Sequence, residues 1–464
     1  MRISVNKSVS IVLVLIFLAT SCIVVTKPAL SSADVAGDSW ASKAPMQVAR
    51  VGLGVAVVNG KIYAIGGSTR SGGGGTKSGP LPVNGGVVGT NEEYDPATDT
   101  WTFKAPMPTP MESFGVAVYQ NKIYCMGGVT EVYDTATDTW ESKEPMPTAR
   151  FALQANIVDG KIYLIGGYVP DNSDFGASIS ALNEVYDPAT DSWTTKAPMP
   201  VATSDYPSAV VDNKIYVIGG LSSSPQSDLN QIYDPETDKW SRGALMPSGI
   251  RYGAAGATTG VNAPKRIYFF DKSGTQVYDS LNDSWTFGAT MPTSRLSLAV
   301  AVVNDMLYAI GGYTYTYPDA IFSYPYGPSV TPYATNEQYT PFGYGTISPV
   351  ISVLSPENNS TYASSNVSLA FTLNKPALWI GYSLDGQETV TATGNTTIAG
   401  LTSGLHNMTV YAKDAFENTG ISETITFTVA KPEPFPIMPV ATASGASVII
   451  IGIGLLIYFK KRNH

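Results

Sequence analysis

The sequence predicts an all-β fold, on three observations: apolar segments of strand length split by turn residues, a phrase that recurs across residues 38–345, and few charges. Only 14% of the 464 residues are charged, against 44 Gly and 32 Pro, which suits many short strands joined by tight turns. A chain of this length is expected to fold as several packed units. The formal charge of −9 supplies no basic patch for phosphate, so nucleic acid is not expected as a partner.

The recurring phrase is the strongest signal. Trp40, Trp101, Trp140, Trp193, Trp240 and Trp285 each precede a methionine step at Met46, Met107, Met146, Met199, Met246 and Met291. A small-residue apolar strand follows and ends in a pair such as Asn59-Gly60, Asp159-Gly160 or Asp212-Asn213, residues that tolerate the positive φ of a type I′ hairpin. The next strand runs into a glycine pair: Gly66-Gly67, Gly127-Gly128, Gly166-Gly167, Gly219-Gly220 and Gly311-Gly312. A third strand then carries Tyr94, Tyr133, Tyr186, Tyr233 or Tyr278, each seven residues before the next Trp. Turns such as Asp95-Pro-Ala-Thr-Asp99 stand between them, and their Asp and Pro suit type I geometry.

Four short strands per unit, with a diglycine, a Tyr and a Trp at fixed places, resemble the kelch family. The resemblance covers residues 38–345 and implies a six-bladed β-propeller. The glycine pair fits a point where a side chain would collide with the neighbouring blade, and Tyr and Trp supply flat packing surfaces. In the fifth unit Asp271-Lys272 stands at the diglycine position and the preceding turn is lengthened to Gly260–Pro264, so a distorted blade is expected there. The repeat region opens with a fourth-strand phrase, Asp38 to Met46, and closes with a third-strand phrase, Asn336 to Pro341, that has no Trp after it. The segment around Trp40 is therefore expected to pair near Tyr339 as the outer strand of the last blade, leaving no free edge.

Beyond the repeat, residues 346–430 alternate apolar and polar over short segments: Val350 to Leu354, Val367 to Leu373, Leu378 to Ser383, Met408 to Ala412 and Ile421 to Val429. About seven strands in this span suggest an immunoglobulin-like or fibronectin-like sandwich, without a Cys pair. The phrases at Tyr382–Gly386 and Tyr411–Asp414 resemble those of prokaryotic surface stalk modules. Glycosylation sequons fall at Asn358, Asn359, Asn366, Asn395 and Asn407, with Asn282 outside the module; chance occurrence in an Asn-, Ser- and Thr-rich stretch is the alternative.

Both termini carry expectations. Arg2 and Lys7 precede the apolar run Val9 to Val25, and the small residues Ser31 and Ala33 suit cleavage, so residues 1–33 read as a secretory signal, with an uncleaved anchor as the alternative. A Pro-rich linker, 431–439, leads to the uncharged stretch 440–459 and the basic tail 460–464. This order predicts one membrane-spanning helix, a cytoplasmic tail and an extracellular propeller. The tail resembles those of archaeal surface proteins, and sortase-like processing stays open.

No chemistry is legible. The two histidines, His406 and His464, both lie outside the repeats, leaving no imidazole there for a base or a metal ligand. Cys125 reads as a small buried hydrophobe, and Cys22 falls in the N-terminal apolar run. Gly72 to Gly75 sits in a Ser- and Gly-rich loop without the strand–helix context of a phosphate site. No cofactor, metal or catalytic constellation is expected. Candidate ligand contacts are instead Arg50, Arg150, Arg251 and Arg295, which recur beside the innermost strand and would form a positive mouth for carboxylates. Pairing of each Arg within the fold is the alternative. A loop rich in Tyr313, Tyr315, Tyr317, Tyr324 and Tyr326 offers aromatic contact area, or else a lid across the ring closure. The functional expectation is a surface protein that binds a glycan or a protein. A carbohydrate-active enzyme resembling sialic-acid epimerases and a structural envelope component are the alternatives.

Overall fold

The computed structural model describes residues 37–70, 72–73, 86–171, 176–223, 227–316 and 329–431, and within them the chain contains strands and turns but no helix. The expected signal sequence and the expected span at 440–459 lie outside the described residues.

Six four-stranded antiparallel sheets account for the repeats. Sheet 1 is Gly54–Val58, Lys61–Ile65, Asn91–Asp95 and Thr100–Lys104. Sheet 2 is Gly115–Tyr119, Lys122–Met126, Thr130–Asp134 and Thr139–Lys143, and sheet 3 is Gln154–Val158, Lys161–Ile165, Asn183–Asp187 and Ser192–Thr195. Sheet 4 is Ser208–Val211, Lys214–Ile218, Asn230–Asp234 and Lys239–Arg242. Sheet 5 is Ala254–Ala257, Ile267–Asp271, Gly274–Asp279 and Ser284–Gly288. Sheet 6 takes Ala299–Val303, Met306–Ile310 and Asn336–Thr340, and its fourth strand is Ser39–Lys43 from the start of the region. Trp40 there lies opposite Tyr339. Each first strand packs against that of the next sheet, and the sixth packs against the first.

A closed ring of backbone hydrogen bonds runs around the axis. The amides of Gly52, Ser113, Ala152, Asp205, Tyr252 and Ser297 each donate to the carbonyl of the preceding member, Gly52 donating to Ser297, at 2.7–3.2 Å. All six residues are left-handed, with φ between 48° and 59°. For the five that are not glycine this conformation costs about 1 kcal/mol or more each, and the ring bonds offset it.

A second sixfold contact joins neighbouring sheets at their outer edges. Asp99, in the turn before Trp101, accepts from the Tyr94 hydroxyl of its own sheet at 2.6 Å and from the Ala44 amide of the neighbouring sheet at 2.8 Å. The Ala44 carbonyl in turn accepts from the Trp101 indole at 2.7 Å. The same clip recurs with Asp138, Asp191, Asp238 and Asp283. At the ring closure it is made by Asp38, Tyr339, Ala289 and Trp40. The turn aspartates therefore do more than form turns. Hydrogen bonding from Tyr94 holds the Asp99 carboxyl below its ordinary range, and Tyr133, Tyr186 and Tyr233 do the same for Asp138, Asp191 and Asp238.

The glycine pairs have a measured reason in four sheets. A Cβ on Gly66 would lie 2.6 Å from the Met111 carbonyl oxygen of the next sheet, and one on Gly311 would lie 2.7 Å from that of Arg50. Gly127 lacks the positive φ, because sheet 2 connects its second and third strands through a very short loop. Sheet 5 does the same through Lys272-Ser273, and its register runs unbroken through all four strands, so the distortion expected there is absent. Its long turn is held instead by Asp305 of sheet 6, whose carboxylate accepts from the amides of Thr259, Asn262 and Ala263. Cys125 is fully buried, as a small core residue would be.

Residues 351–429 form two further sheets. One contains Ile351–Ser355, Val367–Leu373 and Thr396–Ile398. The other is built on the long strand Gly404–Lys413, flanked by Trp379–Leu384 and Ile425–Val429. Their shared core includes Leu369, Phe371, Met408, Val410 and Phe427. The single strand expected over 421–429 is broken at Ser422, whose hydroxyl accepts from the Val410 amide at 2.9 Å. This unit meets the ring through Gly345, which donates to the Asn262 carbonyl at 2.7 Å and accepts from Asn418 at 2.6 Å.

Replacing Asp38 with Ala strands the Ala289 amide and the Tyr339 hydroxyl. By calorimetry the expected loss is about 1–3 kcal/mol, a fall in Tm of roughly 3–10 °C. Deleting residues 38–46 removes the whole fourth strand of sheet 6 and is expected to lower Tm much further; an unchanged melting curve for that deletion would contradict the closure. Because the carboxylates of Asp99, Asp138, Asp191 and Asp238 are held below their unfolded values, their contribution is present above about pH 4 and lost as the pH falls through their folded values, so acid unfolding is expected to begin below that pH.

Candidate functional site

The connections from second to third strands, and from each fourth strand to the next first strand, emerge on one face of the ring. The recurring arginines lie behind that face rather than on it. Arg50, Arg150 and Arg295 are 0%, 1% and 0% exposed, which excludes them as contacts for a ligand. Arg50 is bonded to Glu92 at 2.8 Å and to the carbonyls of Ala64, Gly66 and Thr90. Arg150 pairs with Glu184 at 2.8 Å and Arg295 with Glu337 at 2.7 Å, each with equivalent carbonyls. Burial pulls all three guanidinium pKa values down, and the facing carboxylates oppose that shift.

Gly66 and Thr90 straddle the start and end of the long loop of sheet 1, so Arg50 ties its neck. Arg150 and Arg295 do so for sheets 3 and 6. In sheets 4 and 5 the corresponding residues are Thr203, bonded by Gln231, and Ile250, with Gln276 bonded to the Ser248 backbone; charge is absent from both. Sheet 2 has Met111, and Glu131 there bonds Thr109 and Ser142 instead. Arg251 is one residue out of register with the buried arginines and is exposed.

The aromatic loop divides. Tyr313 is 8% exposed and its strand pairs with Ser329–Pro332, so it is not a free contact. Tyr315 lies in the same strand; its side chain, and the whole of Tyr317, Tyr324 and Tyr326, lie outside the described residues. Gly72-Gly73 pair with Ser329 and Val330 as a short strand rather than forming a free loop. All six sequon asparagines are exposed.

Inside the ring bonds lies an axial cavity of about 230 Å³, walled by the first strands of all six sheets. Its mouth is polar, with Ser113, Gln154, Asp205, Ser208, Tyr252 and Ser297. Below it the channel is lined by Val57, Val118, Ile157, Val210 and Val302. Asp205 is the single charged residue lining the mouth, and its carboxylate has no hydrogen-bond or ion-pair partner among the described residues. Burial raises its pKa to about 7. On the rim beside the mouth, Phe151 is 41% exposed and stacks on Tyr168 with centroids 5.3 Å apart. Among the described residues no group of His, Cys, Asp and Glu could hold a metal ion.

A model of the Kelch motif matches residues 49–108, 149–200 and 202–247. The matched segments hold sheets 1, 3 and 4, whose repeat is similar to the Kelch motif. The Influenza virus NS1A-binding protein homolog of Mus musculus is 40% identical over 84 residues, 18% of this chain and 11% of that protein. Kelch repeat and BTB domain-containing protein 12 of Homo sapiens is 29% identical over 221 residues, 46% of this chain and 27% of its own length. Halomucin of Haloquadratum walsbyi is 38% identical over 92 residues, 18% of this chain and 1% of that protein. The chain thus spans a minor part of these relatives.

Asp205, Phe151 and Tyr168 were not legible as site residues one by one. Aligning the kelch units on the ring residues reveals the first: the column Gly52, Ser113, Ala152, Asp205, Tyr252, Ser297 holds one acid among neutral residues. The pairing of each Arg is legible the same way, since Glu faces Arg in sheets 1, 3 and 6 and Gln stands there in sheets 4 and 5.

Two outcomes follow from these environments. Arg150→Ala leaves Glu184 buried without its cation and is expected to cost about 3–5 kcal/mol in denaturant unfolding, whereas Arg150→Thr combined with Glu184→Gln, the pair of sheet 4, recovers most of it. Asp205 has a folded pKa above its unfolded value, so its contribution to stability is fully present below about pH 4 and lost as the pH rises towards 7. Asp205→Asn, which cannot ionise, is expected to be more stable than the parent by about 1–2 kcal/mol at pH 8 and equal to it near pH 4.

Proposed function

We propose that this chain is a cell-surface binding protein: a six-bladed kelch propeller, carried on an immunoglobulin-like stalk and a single C-terminal span, that recognises a protein partner with the face around its axial mouth. Kelch repeats generally mediate protein–protein binding, and relatives of this chain include proteins named for binding a viral protein. The observation that carries the reading is the rim. Phe151 and Arg251 flank the mouth exposed, in a fold that buries its other recurring arginines. An exposed aromatic and an exposed cation on one rim have the composition of an interface centre.

The enzymatic alternative calls for an axial pocket with converging carboxylates and arginines. The mouth offers one carboxylate and no guanidinium, which favours binding over catalysis. The surface location rests on the apolar stretch 440–459 followed by Lys460, Lys461 and Arg462, and on sequons that fall on exposed positions.

Photo-reactive residues placed at 151 and at 281 of the full-length chain test the face on cells that display it. Leu281 is 91% exposed in a third-to-fourth-strand turn, on the opposite face. Cross-linked protein adducts are expected from 151 and not from 281, and Arg251→Glu is expected to reduce them at least tenfold. Adducts from 281 alone would reject the assignment.

A further inference from the structure

The axial mouth has a chemistry of its own. Asp205 is placed there by geometry: its amide and carbonyl are both members of the hydrogen-bonded ring, which fixes its Cα beside the axis. The surrounding groups are neutral hydrogen-bonding side chains, and the other titratable groups lining the cavity are the Tyr206 and Tyr252 phenols. Tyr206 is spent, since its hydroxyl donates to the Ile165 carbonyl. The charged residues next in sequence to the mouth are Glu112, bonded to Arg70 at 3.5 Å, and the rim residue Arg251. A partly buried carboxylate without a partner among the described residues carries a standing cost, and a cation from outside would remove it.

The opening also selects by shape. Neighbouring members of the ring are one backbone hydrogen bond apart, about 5 Å, so a hexagon of them places each backbone only about 5 Å from the axis. Once atomic radii are subtracted, the gap admits an extended methylene chain but not a sugar ring. Four of the six ring residues, Gly52, Ser113, Ala152 and Ser297, are small, which keeps it clear.

We propose that the axial mouth receives a lysine side chain of the protein partner, its ammonium group meeting the Asp205 carboxylate and its methylene stem passing the hydrogen-bonded ring. The proposal rests on the reading that this face binds a protein. The ammonium donates to Asp205 and to the oxygens of Ser113, Ser297 or Gln154, which line the same cavity. Ammonium binding requires the ionised carboxylate, so affinity is expected to fall as the pH drops below 7, with Arg251 and Glu112 as the flanking charges.

Calorimetric titration of the full-length chain with the peptide acetyl-Gly-Lys-Gly-amide tests this, beside the same peptide with norleucine for Lys and beside glucosamine. Saturable binding of the lysine peptide at pH 8 is expected. A loss of at least tenfold is expected with norleucine, at pH 5.5, and in Asp205→Asn, whose melting curve confirms folding. Equal binding of the norleucine peptide, unchanged binding by Asp205→Asn, or binding of glucosamine without the lysine peptide would each overturn the proposal, the last in favour of an amino sugar. The titration and the cross-linking together separate the two readings. Lysine-peptide binding that depends on Asp205, with no adducts at 151, keeps the mouth and removes the protein-binding face; adducts at 151 without lysine discrimination do the reverse.

Discussion

The bond on which the rest of the ring depends is the one from each turn aspartate to the backbone amide of the neighbouring sheet. A four-stranded sheet has two open edges, and in this architecture the outer one cannot be covered by adding strands. The aspartate solves a different problem, the angle between sheets. One carboxylate oxygen holds a tyrosine hydroxyl from its own third strand and an amide from the neighbour's fourth, while the tryptophan two residues further on returns a bond to that same neighbour residue. Two sheets are thereby fixed at two points about one residue, with the Tyr and Trp rings 4.9 Å apart between them. Repeated around the circle, that geometry has to close, and it closes through Asp38 and Tyr339 although 301 residues separate them.

With the outer edges fixed, the inner edges come together in a ring that forces left-handed backbone on residues other than glycine. The strain is distributed equally, since all six positions have nearly the same φ. A local opening of one ring bond would leave an amide and a carbonyl unpaired near the axis, so the strain is held by cooperation and not by any one side chain. This makes the mouth a rigid frame, in which side chains can vary without changing the backbone that carries them.

Much of this was legible because the repeat records it. Tryptophan, tyrosine, the turn aspartate and the hairpin pairs recur at fixed spacing, and the shifted phrases at the two ends dictate the closure. What stayed hidden was depth. Arg50, Arg150 and Arg295 recur like surface residues of a positive mouth, yet each lies under the face because a glutamate one strand away needs it and a loop neck offers carbonyls. The residues that decide this are 42, 34 and 42 positions distant in sequence, so no local pattern shows it. Sheet 5 misled in the opposite sense. The missing diglycine looked like damage, whereas it marks a connection so short that no loop has to leave the crowded strand end, and glycine is not needed.

The difference between repeated and unrepeated residues then separates packing from recognition. Every column that repeats in all six sheets has a bond or a buried surface to account for it, including the aspartates that looked like turn formers. Asp205 belongs to a ring column in its backbone only; its carboxylate costs stability at neutral pH and satisfies nothing within the described chain. Glu131, by contrast, also lacks an arginine, but Thr109 and Ser142 have taken up its oxygens, so the fold compensates where a charge is merely structural. At Asp205 it has not compensated, although serine or alanine stands at the same place in other sheets and would fit the same backbone. A fold that corrects one unpaired acid and keeps another, at the mouth of its central cavity, retains the second for something outside itself.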